Sequence, residues 1–340
     1  MNLLKKISIG IAGIIILFGI YLYTLLFQSN THFLSSEIYF YVPTGTSYAQ
    51  LISSLEKENI LNDVAKFDKI AQKFNLPKEV HAGKYLIKKG MGNFSILRML
   101  KGGRQAPVKI VIHKLRTKED IIRKLCAQLE ADSISMMRLF HDTVFLQHYA
   151  IDSNQVQCII MPDTYQFYWN TTAKKAIEKI AKNYQKFWTN ERKEKANQRN
   201  LKITEVITLA SIVEEETNKP EDKLNIASTY LNRLKKGMPL QADPTVKFAV
   251  SDFSIKRVLQ RHTAFPSPYN TYRIQGLPPG PICTPSKSTI DAVLDAPETN
   301  YYYFCAREDL KGFSNFAATY EEHLQNAKRY QQALNARGIK

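Results

Sequence analysis

The chain has 340 residues, 44% of them hydrophobic, which excludes a disordered protein and allows two domains, or three small ones, each with its own core. Its 47 basic and 31 acidic residues give a formal charge of +16. The four cysteines, Cys126, Cys158, Cys283 and Cys305, stand far apart without C-x-x-C spacing, so neither a zinc site nor a small disulfide framework is expected; one bridge stays open in an oxidising compartment.

After Lys5 and Lys6 there is no Asp, Glu, Lys or Arg until Glu37, which leaves Ile7 to Phe27 as an apolar run of 21 residues, long enough to cross a bilayer as a helix. A cleaved signal peptide would have a shorter apolar core and a small-residue cleavage site, yet no alanine occurs between Ala12 and Ala49. An uncleaved signal anchor is therefore expected: residues 1–6 cytoplasmic, residues 7–27 spanning the inner membrane with Tyr21 and Tyr23 near the outer interface, and the chain from about Gln28 onward on the periplasmic or extracytoplasmic side. Export removes nucleic acid, the partner that the charge would otherwise suggest. Lipid head groups and wall polymers are the anions that remain, and the even spread of Lys and Arg fits a solvated surface with mild steering.

Past the anchor, Ile38–Val42 reads as a strand, Tyr48–Ile60 and Val64–Phe74 as helices, Gly83–Ile87 as a second strand and Phe94–Leu100 as a helix. This βααβ order predicts a small α+β module over residues 38–105, closed by Gly102 and Gly103. It has no paired carboxylates, cysteines or glycine-rich loop, so binding or spacing is expected of it. Val108–Ile112 reads as a strand and Lys118–Leu129 as an amphipathic helix. Met161–Phe167 reads as a loop entering an aromatic cluster. Ile177, Ile180, Tyr184 and Phe187 lie at helical spacing, which predicts one long, half-exposed helix from Thr171 to Arg199.

The next segment carries an apolar stripe into three carboxylates. On a helix, Leu209, Ile212, Val213 and Glu216 share one face while Thr208, Ser211 and Glu215 form a polar side. Glu216 thus stands where a core residue is expected. A carboxylic acid held against apolar neighbours loses hydration of its charged form, so its pKa rises toward the range useful for donating a proton near neutral pH. That makes Glu216 a candidate general acid; an exposed helix end with ordinary surface glutamates is the alternative this window leaves open.

Pro220 begins a second helix that runs to about Lys236 and stops at Gly237, with Asn232 and Arg233 in its last turns, within reach of the preceding helix. Leu240–Thr245, Ser267–Tyr272 and Gly276–Pro281 then read as proline-stiffened irregular segments. Tyr, Asn, Thr and Gln on stiff loops suit a sugar polymer, because aromatic faces cover apolar sugar faces while amides and hydroxyls pair with hydroxyl and acetamido groups. Well-packed turns with partly buried tyrosines are the alternative.

Taken together, the motifs resemble those of the membrane-anchored endolytic murein transglycosylases of the MltG/YceG-like family. The resemblance covers nearly the whole chain and rests on Pro162-Asp163-Thr164-Tyr165, on Ala210 to Thr217, on Asn232-Arg233-Leu234, on Gly237 to Val246, on Tyr269-Asn270-Thr271-Tyr272 and on Gly276 to Ile282. It implies an α+β fold with an N-terminal transmembrane helix, a LysM-like βααβ module at residues 38–105 and a larger mixed α/β catalytic domain at residues 106–340. In the family the essential acid is the second glutamate of a Glu-x-Glu-Thr motif, which is Glu216 here. Glu214, the first glutamate, is expected to support the site or to hydrogen-bond loop backbone, and Glu215, in a variable position, to be solvated. The family often carries a histidine near the position of Phe316; this chain has Asn315 there, and Tyr320 with His323 continues the family's ending.

The resemblance implies an enzyme that cleaves the bond between N-acetylmuramic acid (MurNAc) and N-acetylglucosamine (GlcNAc) in nascent glycan strands, leaving 1,6-anhydro ends and terminating elongation. No metal or cofactor is expected, and the implied partners are peptidoglycan strands, the inner membrane and peptidoglycan synthases (penicillin-binding proteins). Glu216 would carry the proton in both directions. Tyr269, Asn270, Gln241 and Asn232 would hold the glycan, with Arg233, Asp243, Thr245, Thr271, Tyr272, Asp163 and Tyr165 binding substrate or supporting the site. Two rival expectations are a muramidase in which Asp243 activates water, and a wall-binding scaffold without activity.

Overall fold

The computed structural model describes residues 3–338; Met1 and Asn2 of the expected cytoplasmic tail, and Ile339 and Lys340 of the expected catalytic domain, lie outside the described residues. Helix α1 (Leu3–Phe27) is followed by β1 (Glu37–Val42), α2 (Tyr48–Lys57), α3 (Val64–Lys73), β2 (Gly83–Lys88) and α4 (Asn93–Lys101). Next come β3 (Val108–Ile112), α5 (Lys118–Cys126), α6 (Ser133–Leu139), α7 (Thr143–Gln147), β4 (Asp163–Phe167), α8 (Ala173–Phe187) and α9 (Asn190–Gln198). The last part holds α10 (Ile203–Glu216), α11 (Pro220–Lys235), α12 (Asp243–Ala249), α13 (Gln260–Thr263), α14 (Lys287–Leu294), β5 (Tyr303–Ala306), β6 (Ser314–Ala317) and α15 (Tyr320–Ala336). The order is mixed α+β, with strands paired β1 to β2, β3 to β4 and β5 to β6.

Two compact units are present: one runs to Lys109 and takes in 128–130 and 166–172, and the other holds 110–127, 131–165 and the chain from Ala173. In the first, β1 and β2 pair antiparallel from Glu37↔Lys88 to Val42↔Gly83. Alternate side chains of a strand face opposite ways, so Phe40 and Val42 enter the core while Tyr39 and Tyr41 face out. Helices α2 and α3 close the core with Leu51, Leu55, Phe67 and Ile70. Their starts are set locally: Ser47 and Gln50 cap α2 reciprocally, and the Asp63 carboxylate accepts from the Lys66 N–H.

The second unit is organised around α10, whose residues Val206 to Val213 are all buried, packed by α11, α12 and α14. A helix covered on every side must satisfy its polar side chains internally. The Ser211 hydroxyl donates to the Thr208 carbonyl and accepts from the Ile282 N–H at 3.0 Å.

Three local expectations are corrected. Thr171–Arg199 is not one helix: α8 ends at Phe187, Trp188 is buried, and Thr189 caps α9 by accepting from the Arg192 N–H. Met161–Phe167 contains strand β4, whose alternation buries Tyr165 and Phe167 and exposes Thr164 and Gln166. Leu240–Thr245 is irregular only as far as Ala242, because Pro244 lies in the first turn of α12, where the missing N–H costs no helical bond.

Candidate active site

Helix α10 ends because Thr217 adopts extended backbone angles (φ −149°, ψ 147°), and α11 starts afresh at Pro220 after an extended Lys219. The turn lays α11 against α10 and brings Tyr230 to Glu216. Its hydroxyl donates to Glu216 Oε1 at 2.6 Å. Tyr230 is only 1% exposed and its ring meets Phe304 of β5 edge-on at 5.7 Å.

No basic residue occupies the last turn of α10, so the cations that meet Glu214 and Glu215 come from other elements. Glu214 accepts from Lys223 Nζ of α11 at 3.0 Å, from the Ser286 hydroxyl at 2.9 Å and from the Thr289 hydroxyl. Burial works to raise its pKa, but the bonds from Thr289, Lys223 and Ser286 outweigh it and the net shift is downward. Of the two expectations for Glu214, the contacts fit support of the site through side chains, not bonds to loop backbone.

Glu215 is corrected more fully. It is not solvated: its side chain is 13% exposed, takes a forked pair of bonds from Arg116 Nε and Nη2 at 3.0 and 2.9 Å, and lies 3.3 Å from Lys114 Nζ. Both cations sit on the segment that follows β3, a hundred residues earlier in the chain, and planar guanidinium matches carboxylate geometry.

Glu216 differs from both, having a phenol for a partner and no ion pair among the described contacts. Burial raises its pKa to about 7. The Tyr230 bond and Lys247 pull down, while Asp243 and Glu215 push up. The residue as a whole is half-buried, so part of it reaches solvent. Its place at the C-terminal, partially negative end of α10 acts in the same direction as burial. Burial and the adjacent Glu216 drive the Tyr230 phenol well above its ordinary range, which keeps it a donor.

Around this carboxyl, the expected site residues fall into two groups. Asn270 Nδ2 donates to the Thr263 and Phe265 carbonyls at 2.9 and 2.7 Å, and its Oδ1 accepts from the Tyr272 N–H. Thr245 and Thr271 bond each other at 2.8 Å; Thr245 donates to the Ala242 carbonyl and Thr271 accepts from the Ala242 N–H. All three are fully buried and hold the loops. By contrast Gln241 is exposed, in the left-handed region at φ 51°, and Asp243 is exposed while its carboxylate accepts from the Tyr272 hydroxyl at 2.7 Å. Tyr269 is half-buried with its ring 4.7 Å from that of Phe248.

Asn232 and Arg233, expected within reach of α10, make their hydrogen bonds to irregular segments instead. Asn232 donates to the Thr299 and Tyr301 carbonyls at 2.9 and 3.0 Å; Arg233 donates to those of Tyr302 at 2.6 Å and Leu240 at 2.8 Å. Irregular segments leave carbonyls without ladder partners, and these two side chains supply the donors. Asp163 and Tyr165 belong to a different cluster. Asp163 accepts from Lys287 Nζ at 2.7 Å and Asn183 Nδ2 at 2.8 Å, which holds its pKa down at about 2, and the Tyr165 hydroxyl donates to the Met161 carbonyl. Asn315 donates to Glu308, and the His323 ring stacks 5.4 Å from Tyr303.

The sequence reading missed Tyr230, Lys247, Lys223 and Arg116. Tyr230 had a signal: Ile226, Ala227, Tyr230 and Arg233 lie at helical spacing and form the buried face of α11. Lys247 lines a recess of 50 Å³ beside the site with Arg116, Glu215, Pro244, Phe253 and Ile282. A larger recess of 840 Å³ passes Thr204 and Thr208 farther back on α10 and is not lined by Glu216. Chemistry rather than volume marks the site.

The YceG-like family model matches residues 40–329. A Bacillus subtilis (strain 168) protein named endolytic murein transglycosylase is 30% identical over 314 residues, which cover 86% of this chain and 85% of that protein. A Streptococcus pneumoniae serotype 2 protein of the same name is 26% identical over 323 residues, and this chain spans 57% of its length. A crystal structure of a YceG-like protein from Listeria monocytogenes is similar at TM-score 0.56 and 26% identity, covering 86% of this chain and 99% of that one. By the extent of the family match, the chain belongs to the YceG-like family.

Proposed function

We propose that the protein is an endolytic peptidoglycan lytic transglycosylase with Glu216 as its single acid and base. The names of the Bacillus and Streptococcus relatives support the substrate and the reaction class. One observation carries the choice of residue: of three adjacent carboxylates, two are held by cations, and Glu216 alone meets a phenol and has a pKa of about 7. A group that is half protonated near neutrality can both give and retrieve a proton.

Protonated Glu216 donates to the oxygen that joins MurNAc C1 to GlcNAc C4 as the bond to C1 breaks and its electron pair stays on that oxygen. The MurNAc C6 hydroxyl oxygen then bonds to C1, and the Glu216 carboxylate takes the proton it releases. The products are a free GlcNAc 4-hydroxyl and a 1,6-anhydro-MurNAc end; no water is consumed and Glu216 returns to its starting form. The Tyr230 hydroxyl, held on Oε1, leaves the second carboxyl oxygen for the transfer. Gln241, Tyr269, Tyr272 and Asp243 are assigned to glycan contact, and Asn232, Arg233, Thr245, Asn270 and Thr271 to the shape of the loops that present them.

A second reading has one specific support. Asp243 is near enough to push the Glu216 pKa upward and is gripped by Tyr272, as a water-activating base in a muramidase would be. Digestion of glycan in isotope-labelled water separates the readings by mass spectrometry. Unlabelled ends one water lighter than reducing ends support the transglycosylase, labelled reducing ends support the muramidase, and intact glycan leaves only a wall-binding scaffold.

We further assign residues 1–6 to the cytoplasm, residues 7–27 of α1 to the inner membrane, residues 38–105 to a LysM-like module and residues 106–340 to the catalytic domain outside the membrane. The apolar span Ile7–Phe27, of mean hydropathy 2.3, supports the anchor. An enzyme so anchored meets nascent strands where the synthases extend them, and cutting there terminates elongation.

A further inference from the structure

The C-terminal end of α1 is built into the first compact unit. Leu25 and Leu26 pack against its core, and Asn93 Nδ2 donates to the Leu25 carbonyl at 2.9 Å. A buried bond of 2.7 Å from Asn30 to Asn93 and one of 3.0 Å from the Asn30 N–H to the Met91 carbonyl close the junction. Gly92 caps the start of α4 so tightly against α1 that a Cβ there would stand 2.6 Å from the Phe27 carbonyl oxygen. Such contacts fix the direction in which α1 leaves the unit.

From this junction a seam of rings leads away from the helix. Tyr23 and Phe27 are 5.3 Å apart, Phe27 and Phe94 5.6 Å, and Phe94 and Phe74 6.0 Å. Three of the four stay open to the surroundings: Tyr23 is 67% exposed, Phe27 50% and Phe74 40%. Lys73 and Lys78, both exposed, flank Phe74 along the chain, and Lys101 donates to its carbonyl. A run of 21 apolar residues, Ile7–Phe27, is roughly 31 Å long as a helix, close to the hydrocarbon thickness of a bilayer. Phe27 therefore falls at the hydrocarbon boundary and the seam branches off at that depth, where a tyrosine sits at the interface, phenylalanine rings bury into the boundary between head groups and acyl chains, and lysines meet anionic head groups.

We propose that Tyr23, Phe27, Phe94 and Phe74 form an interfacial face that lays the first compact unit on the outer leaflet of the membrane that α1 spans, with phospholipid head groups as its partner. The proposal rests on the membrane-anchor reading and goes beyond it. An anchor requires only α1, whereas this face sets the height and tilt of the unit over the bilayer.

The test uses the full chain in nanodiscs of phosphatidylcholine and phosphatidylglycerol, with lipids brominated either near the head group or deep in the tail. Phe74→Trp and, separately, Phe94→Trp report on the face, Ile16→Trp reports on α1, and the unsubstituted chain supplies the background from Trp169 and Trp188. Shallow bromines are expected to lower the added emission of the two face variants about twofold, and deep bromines that of Ile16→Trp. Quenched Ile16→Trp with both face variants unquenched overturns the docking face and leaves the anchor standing; unquenched Ile16→Trp overturns both. Protection of Phe74→Trp from aqueous quencher that grows with the number of chains per disc, without bromine quenching, overturns the proposal in favour of self-association.

Discussion

The Tyr230 hydroxyl, from the middle of α11, donates its 2.6 Å bond to Oε1 of Glu216, the last residue of α10. The bond favours the charged carboxylate and so opposes the burial that raises the Glu216 pKa to about 7. Tyr230→Phe removes the donor and keeps the ring. The Glu216 pKa then moves further up, and since the acid must be protonated in free enzyme, the alkaline limb of the kcat/KM profile moves to higher pH by up to about one unit. A pH profile of glycan cleavage checks this; an unmoved limb would show that the phenol does not touch the working carboxyl.

Glu216→Gln is expected to abolish anhydro-end formation while stabilising the fold. In the folded chain the pKa is about 7 against an ordinary 4.5, so below 4.5 the residue is neutral in both states. Between those values the unfolded chain ionises first and folded stability falls; above about 7 the full cost, at most about 3 kcal/mol, is present. The variant removes the titration. Thermal unfolding should therefore show Glu216→Gln more stable than the parent at pH 8 and nearly equal to it at pH 4.

Lys223→Met leaves Glu214 in its hydroxyl cage without a cation. The Lys223 and Glu214 side chains are 12% and 14% exposed, and removing one partner of so enclosed a pair costs about 3 kcal/mol near neutral pH. Because the folded Glu214 pKa is lowered, the stability from the pair is present above 4.5 and is lost as pH falls through the folded value. Denaturant titrations should give a large difference from the parent at pH 7 that shrinks in acid. An equal difference at both pH values would mean that packing of the lysine stem, not charge, holds the site.

Gln241 and Asn270 lie close in sequence to the bonded pair Thr245 and Thr271, the first exposed with a left-handed backbone, the second buried and fully bonded. Gln241→Gly relieves a left-handed backbone and should stabilise by about 0.5–1 kcal/mol while raising KM. Asn270→Ala strands the Thr263 and Phe265 carbonyls and should destabilise by about 2 kcal/mol. Paired measurements of unfolding and steady-state kinetics test both; a Gln241→Gly variant with unchanged KM would remove Gln241 from glycan contact.

Much of this arrangement is legible from short-range pattern. The β1 and β2 strands alternate, so Phe40 and Val42 announce a core face, and Pro220 with Gly237 marks the bounds of α11 within one residue. Errors came where a local signal competed with burial. Trp188 and Thr189 break what the spacing of Ile177 to Phe187 continues as one helix, because a buried ring followed by a capping hydroxyl ends α8 and starts α9. The variable position of Glu215 in the family motif implies a solvated side chain, whereas its cations, Lys114 and Arg116, arrive from about a hundred residues away, beyond the reach of any local pattern.

By itself the sequence determined the apolar span of α1, the βααβ order and a carboxylate at the end of the stripe through Leu209, Ile212 and Val213, since each is a repeat of residue type at the period of its own element. Only the tertiary structure decided which of three neighbouring glutamates stays near neutrality. Proton affinity depends on desolvation and on charges within a few ångströms, and here those are set by side chains from α11, α12, α14 and the segment after β3. Packing paired Glu214 with Lys223 and Glu215 with Arg116, and left Glu216 with Tyr230.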